Sequence, residues 1–267
     1  MVSNVNFPGL TSLFTSASSG GFDFTSLYAS QATTSVSVGG VATALAQAEK
    51  NETSQLASIA KQADVKRDIE RYTKVVKDAK TLDDVLDDPI ARKVFMTANG
   101  LKDQINNIGL AKRALNSDGS AGTAAAQLSA YNNAWVEAVK AWPTKTLGVE
   151  ILKTGDAIKT ITDDFVAEKR LDMLDQQMPG LGTAILFKTV AKNLDTPVKI
   201  LGSALGREVV TTALAIPKQV AIQSLEAQSK AITQRMDPKK LQSDIYVDRL
   251  VQRYLINLNG GTGGVTA

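Results

Sequence analysis

The 267-residue chain contains no cysteine and no histidine. Without thiols there can be no disulfide, no thiolate zinc site and no cysteine nucleophile. Without imidazole, no side chain has an ordinary pKa suited to general-base work near neutral pH. The two absences exclude the Ser-His-Asp triad, Cys-His proteases and most zinc enzymes together. A cysteine-free chain fits an oxidising exterior, although the same composition also arises by chance in cytosolic proteins. Aromatic residues are scarce at 5% while hydrophobic residues reach 43%, so a core must be built mainly from Ala, Val, Leu and Ile, which suits closely packed helices. Neither sign of charge dominates: 30 basic and 27 acidic residues leave a net +3, no footprint for nucleic acid or an anionic membrane. Every apolar run is interrupted well short of the roughly 18 residues a membrane span needs. Period-two alternation is nearly absent as well, and an all-α fold with little or no sheet is predicted. The length allows one large domain or two small ones.

What is present begins with an unusual stretch. Ser and Thr fill fourteen of the first forty positions, the first basic residue is Lys50, and Asp23 is the only acid before Glu49. A secretory signal needs a basic segment followed by an apolar one, and neither is expected here. Apolar residues are dispersed through the stretch: Phe7, Leu10, Leu13, Phe14, Phe22, Phe24, Leu27 and Tyr28. Burying each contributes about 1.5–3 kcal/mol, whereas ordering each backbone residue costs about 1–2 kcal/mol. Residues 1–40 are therefore expected to form a flexible arm. It is either an idle tail, an export signal or a segment that orders on a partner, with Phe7, Leu10, Phe14, Phe22, Phe24 and Tyr28 as candidate partner contacts. The Gly-rich 259–267 is expected to form a second flexible tail.

Between them lies a helical body, 41–258. Gly39-Gly40 is read as the end of the arm. A long helix follows from Val41, with Asn51 and Asp64 as the points where it can break. Thr81 with Asp84 has the spacing of a capping box, and Asp88-Pro89 that of an N-cap with Pro at the first helical position. Two short helices are predicted over 82–87 and 89–98, with Gly100 at a C-cap. Further helices are predicted over 102–116, 122–142, 155–176, 181–193, 197–214, 217–236 and 239–258, separated by Pro and Gly signals. In 122–142, Tyr131, Trp135, Val139 and Trp142 share one face at helical spacing, the pattern of a packed stripe.

Shifted by 115 residues, Tyr72–Leu101 lies over Phe187–Ile216 without a gap. Eight of the thirty positions are identical, where composition predicts roughly two. Among the identities are Thr81/Thr196, Leu86/Leu201, Arg92/Arg207 and Thr97/Thr212. One helical unit used twice is the expected explanation. The matched arginines, set in apolar surroundings, are expected to make a repeated salt bridge or carbonyl cap; the alternative is a repeated contact to a partner.

Other patterns do not carry chemistry. Gly180-Leu181-Gly182 followed by Lys188-Thr189 has Phe187 where a phosphate loop needs Gly. The acidic pairs and clusters Asp83, Asp84, Asp87, Asp88 and Asp163, Asp164 lack the register of a calcium loop. Lys239-Lys240 is too short for a nucleic-acid patch. No catalytic, cofactor-binding or metal-ligating residue is assigned, and no cofactor is expected.

The segment Tyr72–Leu101, with Thr81-Leu82-Asp83-Asp84-Val85-Leu86-Asp87-Asp88 and Ala98-Asn99-Gly100-Leu101, resembles an uncharacterised bacterial family, the domain of unknown function 1217 family. Ile216-Pro217-Lys218-Gln219-Val220-Ala221 and Val251-Gln252-Arg253-Tyr254-Leu255 extend the resemblance over roughly 65–258. It departs at Asn99, where an aromatic would be expected. Members are often encoded among flagellar genes, so the resemblance implies the bacterial flagellum or its assembly. It brings no activity and no functional residues. The resulting expectation is a non-enzymatic, flagellum-associated structural or secreted protein that binds other flagellar or export-apparatus proteins. The alternatives are a cytoplasmic assembly chaperone or regulator, and an enzyme confined to carboxylates and lysines.

Overall fold

The structure is a computed structural model that describes residues 37–260. Phe7, Leu10, Phe14, Phe22, Phe24 and Tyr28, the candidate partner contacts, lie outside the described residues. Within them the chain is all-α, with helices, 3-10 turns and no strand.

Helix α1 (Val38–Lys50) starts earlier than Gly39-Gly40 suggests. The Ser37 hydroxyl accepts the Gly40 N–H at 3.1 Å, satisfying an orphan donor of the first turn, and Val41, Leu45 and Ala48 supply a buried face. Breaks at Asn51 and at Lys61-Gln62 separate α1 from α2 (Glu52–Ala60) and α3 (Ala63–Asp78). Helices α4 (Leu82–Asp87) and α5 (Pro89–Ala98) have the expected bounds, and the Thr81/Asp84 capping box is formed. Beyond them, α6 (Ile108–Leu115) begins six residues later than predicted because 102–104 forms a 3-10 turn.

The predicted helix 122–142 is divided into α7 (Ala124–Leu128) and α8 (Ala134–Ala141). Asn132 Oδ1 accepts the Ala134 N–H at 3.0 Å, a local bond that competes with helix continuation. The break removes Tyr131 from the aromatic stripe, where it is 82% exposed, while Trp135 and Val139 stay buried. Trp142 Nε1 donates to Asn99 Oδ1 at 3.1 Å, which gives the departure at Asn99 a polar partner. Short helices α9 (Thr144–Leu147) and α10 (Glu150–Lys153) lead into the long α11 (Gly155–Gln177). Then come α12 (Leu181–Val190), α13 (Pro197–Gly202), α14 (Ala204–Ala213), α15 (Leu225–Thr233) and α16 (Asp244–Leu258). Predicted 197–214 is interrupted at Ser203, whose hydroxyl caps α14 through the Gly206 N–H.

Two apolar clusters form the interior. The first gathers Tyr72, Leu86, Phe95, Met96, Leu152 and Phe165 from α3 to α11. The second gathers Leu174, Leu181, Phe187, Ile200, Leu250 and Tyr254, together with Val41, Leu45 and Ala48 of α1. Met173 packs against both. Helix α11 thus belongs to the first core along its N-terminal part and to the second at its C-terminal end, packing on α5, α12 and α2. Between these regions Arg170, 3% exposed, donates to the Ala48 carbonyl, to Gln55 Oε1 at 3.0 Å and to Glu52 Oε1 at 3.3 Å.

The glycines of the rejected phosphate-loop pattern have a packing role. A Cβ on Gly182 would lie 2.4 Å from the Leu171 carbonyl oxygen, so α12 can approach α11 only with glycine there. Its N–H is taken by Asp175 Oδ1 at 2.8 Å. Because the obstacle is backbone, Gly182→Ala should destabilise the fold by about 3 kcal/mol, read as a lower urea midpoint. Tyr72 behaves oppositely. Its hydroxyl is buried with no hydrogen-bond partner, and burial pushes its pKa upward. The matched position holds Phe187, also fully buried. Tyr72→Phe removes a desolvated donor without changing ring volume and is expected to raise unfolding free energy by about 1 kcal/mol in urea titrations.

Candidate functional site

The segments 115 residues apart carry the same local contacts. Thr81 (φ −137°, ψ 162°) and Thr196 (φ −133°, ψ 153°) each cap a six-residue helix, accepting from Asp84 N and Lys199 N at 3.3 Å. Asp88 and Ser203 cap the helices that follow. Leu101 N donates to the Met96 carbonyl and Ile216 N to the Thr211 carbonyl, both at 2.8 Å. These are the long bonds of a helix-ending turn that needs a left-handed residue. Gly100 supplies it at φ 69° in the first segment and Ala215 at φ 49° in the second, at a cost of about 1–2 kcal/mol for a residue with a Cβ.

The matched arginines act as carbonyl caps. Arg92 Nη1 donates to the Leu86 carbonyl at 2.5 Å and Arg207 Nη1 to the Leu201 carbonyl at 3.0 Å. Each supplies a donor to the C-terminal end of the preceding short helix, where carbonyls lack intrahelical partners.

Beyond that bond the two diverge. Arg92 is buried, and its Nε also donates to the Ile105 carbonyl at 2.9 Å. Arg207 is exposed, and among the described residues its guanidinium bonds the Leu201 carbonyl alone. Where Met96 is fully buried in the first segment, the second has Thr211, whose hydroxyl turns back to the Arg207 carbonyl at 2.7 Å. The 3-10 turn Lys218–Ile222 occupies the register of the chain that closes over Arg92. The carbonyl of Val220, the residue in register with Ile105, accepts instead from Gln223 N at 3.1 Å.

The result is a groove of about 630 Å³ between α14, the 3-10 turn and α15. Its walls include Leu201, Ile216, Val220 and Ile232, with Thr211 and Thr212 along one side. Among the described residues its two charged ones, Arg207 and Lys218, are both basic, and neither takes part in an ion pair with another described residue. Gln228 Nε2 holds one wall by donating to the Ala221 and Gln223 carbonyls at 3.3 and 2.8 Å. Ile222 stands beside this wall 89% exposed. The sequence comparison contained the signal for the groove, a matched arginine with Met96 exchanged for Thr211, but the chain that closes one site and not the other has no residue signature.

The remaining polar clusters are engaged in holding the fold. Among the described residues no group of three or more acids is placed to hold a metal ion. A shallow recess of about 430 Å³ lies at Asp78, Asp84, Asp87 and Asp88 with Arg71 and Lys74. Asp84 accepts from Lys80 N and Thr81 N at 2.8 Å, and these bonds hold its carboxyl below the usual range. Asp88 accepts from Ile90 N and Ala91 N and pairs with Arg71, while Asp87 pairs with Lys112. On α11, burial pushes the Glu168 carboxyl upward against the opposing charge of Lys102, and Lys102 also bonds Asp172 at 2.7 Å. None of the described helices is long and apolar enough to cross a membrane.

A family model described as a protein of unknown function, DUF1217, matches residues 98–247. A crystal structure of a protein from Agrobacterium tumefaciens is similar in fold, with a TM-score of 0.66 and 20% identity over 85% of this chain and 96% of that one. No curated protein shows significant similarity.

The unequal burial of the two arginines predicts unequal costs. Arg92→Met leaves the buried Leu86 carbonyl and the half-buried Ile105 carbonyl without their donor and should destabilise the fold by about 2–3 kcal/mol. Arg207→Met should cost under about 1 kcal/mol, because water can replace its single bond. Urea denaturation of the two variants checks the ranking.

Proposed function

We propose that this chain, which belongs to the DUF1217 family of proteins of unknown function, is a flagellum-associated protein that works by binding other proteins and carries out no catalysis. The observation that carries the binding part is the groove at Arg207, where apolar walls stand beside two cations that have no ion pair among the described residues. The absence of cysteine and histidine supports the non-catalytic part, because it removes the commonest nucleophiles and bases. The flagellar placement is supported by the residues through which the chain resembles its family. The shared contacts of Tyr72–Leu101 and Phe187–Ile216 support a further element of the proposal, that the body arose by duplication of one helical unit. The Ser- and Thr-rich segment before Ser37, almost free of charge, is assigned the export signal.

Culture supernatant and sheared filaments of the native host should contain the protein. Removing residues 1–36, which spares the cap of α1, should leave a cooperative helical melt and abolish secretion. Secretion of the truncated protein at the full level would refute the export role of that segment. Retention of the intact protein inside flagellated cells would instead favour a cytoplasmic assembly chaperone. A deletion strain with normal filaments and normal motility would refute the flagellar role altogether.

A further inference from the structure

We infer that the groove between α14, the 3-10 turn Lys218–Ile222 and α15 is a docking site for a short segment of a partner protein that carries a carboxylate flanked by aliphatic side chains. The inference rests on the protein-binding part of the proposed function and is independent of the flagellar placement.

The first half of the chain shows what such a site accepts. At Arg92 the guanidinium caps the Leu86 carbonyl with one nitrogen and takes a second peptide oxygen, that of Ile105, with Nε. The Ile105 side chain packs against the first core beside it. The equivalent arrangement at Arg207 retains the first bond and lacks the second. A guanidinium offers five donors in a fixed fork; Arg207 lines the groove, and among the described residues its guanidinium bonds the Leu201 carbonyl alone. The occupant that satisfies its other donors is a polypeptide oxygen, as at Arg92.

Charge selects among polypeptides. Among the described residues Arg207 and Lys218 are the only charged groups lining the groove, and no described acid lines it. A carboxylate pairs with an exposed guanidinium in a bidentate, charge-assisted contact that a neutral amide cannot equal. The walls select the neighbouring residues. Leu201, Ile216, Val220 and Ile232 offer apolar surface, and the site has room because Thr211 stands where Met96 fills the first half. Ile222, exposed at the edge, extends the apolar surface outward. An acidic segment with aliphatic residues on either side of its carboxylate therefore matches the groove in charge, hydrogen bonding and hydropathy.

The full chain, labelled with nitrogen-15, is titrated with the synthetic peptide acetyl-Leu-Asp-Ile-Leu-Asp-Leu-amide and, separately, with the same peptide bearing Asn in place of Asp. The acidic peptide is expected to shift amide signals of residues lining the groove and to bind at least tenfold tighter than the Asn peptide, with the difference shrinking as salt screens it. Arg207→Gln should weaken the acidic peptide about tenfold and Lys218→Gln by a smaller factor. Thr211→Met, which installs the residue found at Met96, should block binding while the thermal transition is preserved. Equal affinity for the two peptides, signal shifts elsewhere on the molecule, or full binding by Arg207→Gln and Thr211→Met would overturn the inference. Absence of binding at millimolar peptide would overturn it too, while leaving the outcome of the secretion and motility experiments untouched. Concentration-dependent self-association that Arg207→Gln abolishes would replace the partner segment by a second copy of the chain.

Discussion

The position of one guanidinium governs how the two cores are joined. Arg170 lies on α11 where that helix passes from the first apolar cluster to the second, and a buried cation there must find acceptors. It finds them on α1 and α2, at the Ala48 carbonyl, Glu52 and Gln55. The bonds therefore tie the N-terminal helices to the middle of the chain. They also support α1 where Val41, Leu45 and Ala48 enter the second core. At the next residue of α11, the absence of a side chain at Gly182 brings α12 against the Leu171 carbonyl. Charge satisfaction at Arg170 and close backbone approach at Leu171 thus set where both halves sit against the same helix.

Within that frame, one local design has two outcomes. Both segments place a Thr-capped helix before a second capped helix, and both use an arginine to bond the carbonyl six residues earlier. In the first half the arginine is buried and gives two donors to the protein's own peptide groups, the Leu86 and Ile105 carbonyls. In the second, Thr211 and the turn Lys218–Ile222 leave it open. The difference in chemistry is small and the difference in consequence large, because an unpaired donor inside the fold is destabilising whereas one facing a groove is available to a partner.

Much of the local structure was legible from residues. The capping box at Thr81 and Asp84, the Asp88-Pro89 helix start and the role of Gly100 are decided by groups three or four positions apart. The misses have the same local origin. Asn132 bonding Ala134 N divided the predicted helix 122–142 and released Tyr131 to solvent. Ser203 divided 197–214, although it lies over Asp88 in the shifted sequence and does the same capping work. Ser37 moved the start of α1 ahead of two glycines, because a hydroxyl acceptor and a buried face beyond them outweigh their conformational freedom.

By itself the sequence determined the all-α class, the bounds of the helices over 82–87 and 89–98, the exclusion of histidine- and cysteine-based chemistry and the correspondence of Arg92 with Arg207. Only the tertiary structure decided that α1 joins the second core, that α11 serves both, and that one arginine is sealed while its counterpart faces a groove. Caps, turns and helical periodicity arise from interactions over a few residues and are written in local order. Burial of Arg92 depends instead on where the chain through Ile105 comes to lie, and openness at Arg207 on how the turn through Val220 is held by Gln228. Those outcomes follow from packing between separate elements, for which neighbouring residues carry no signature.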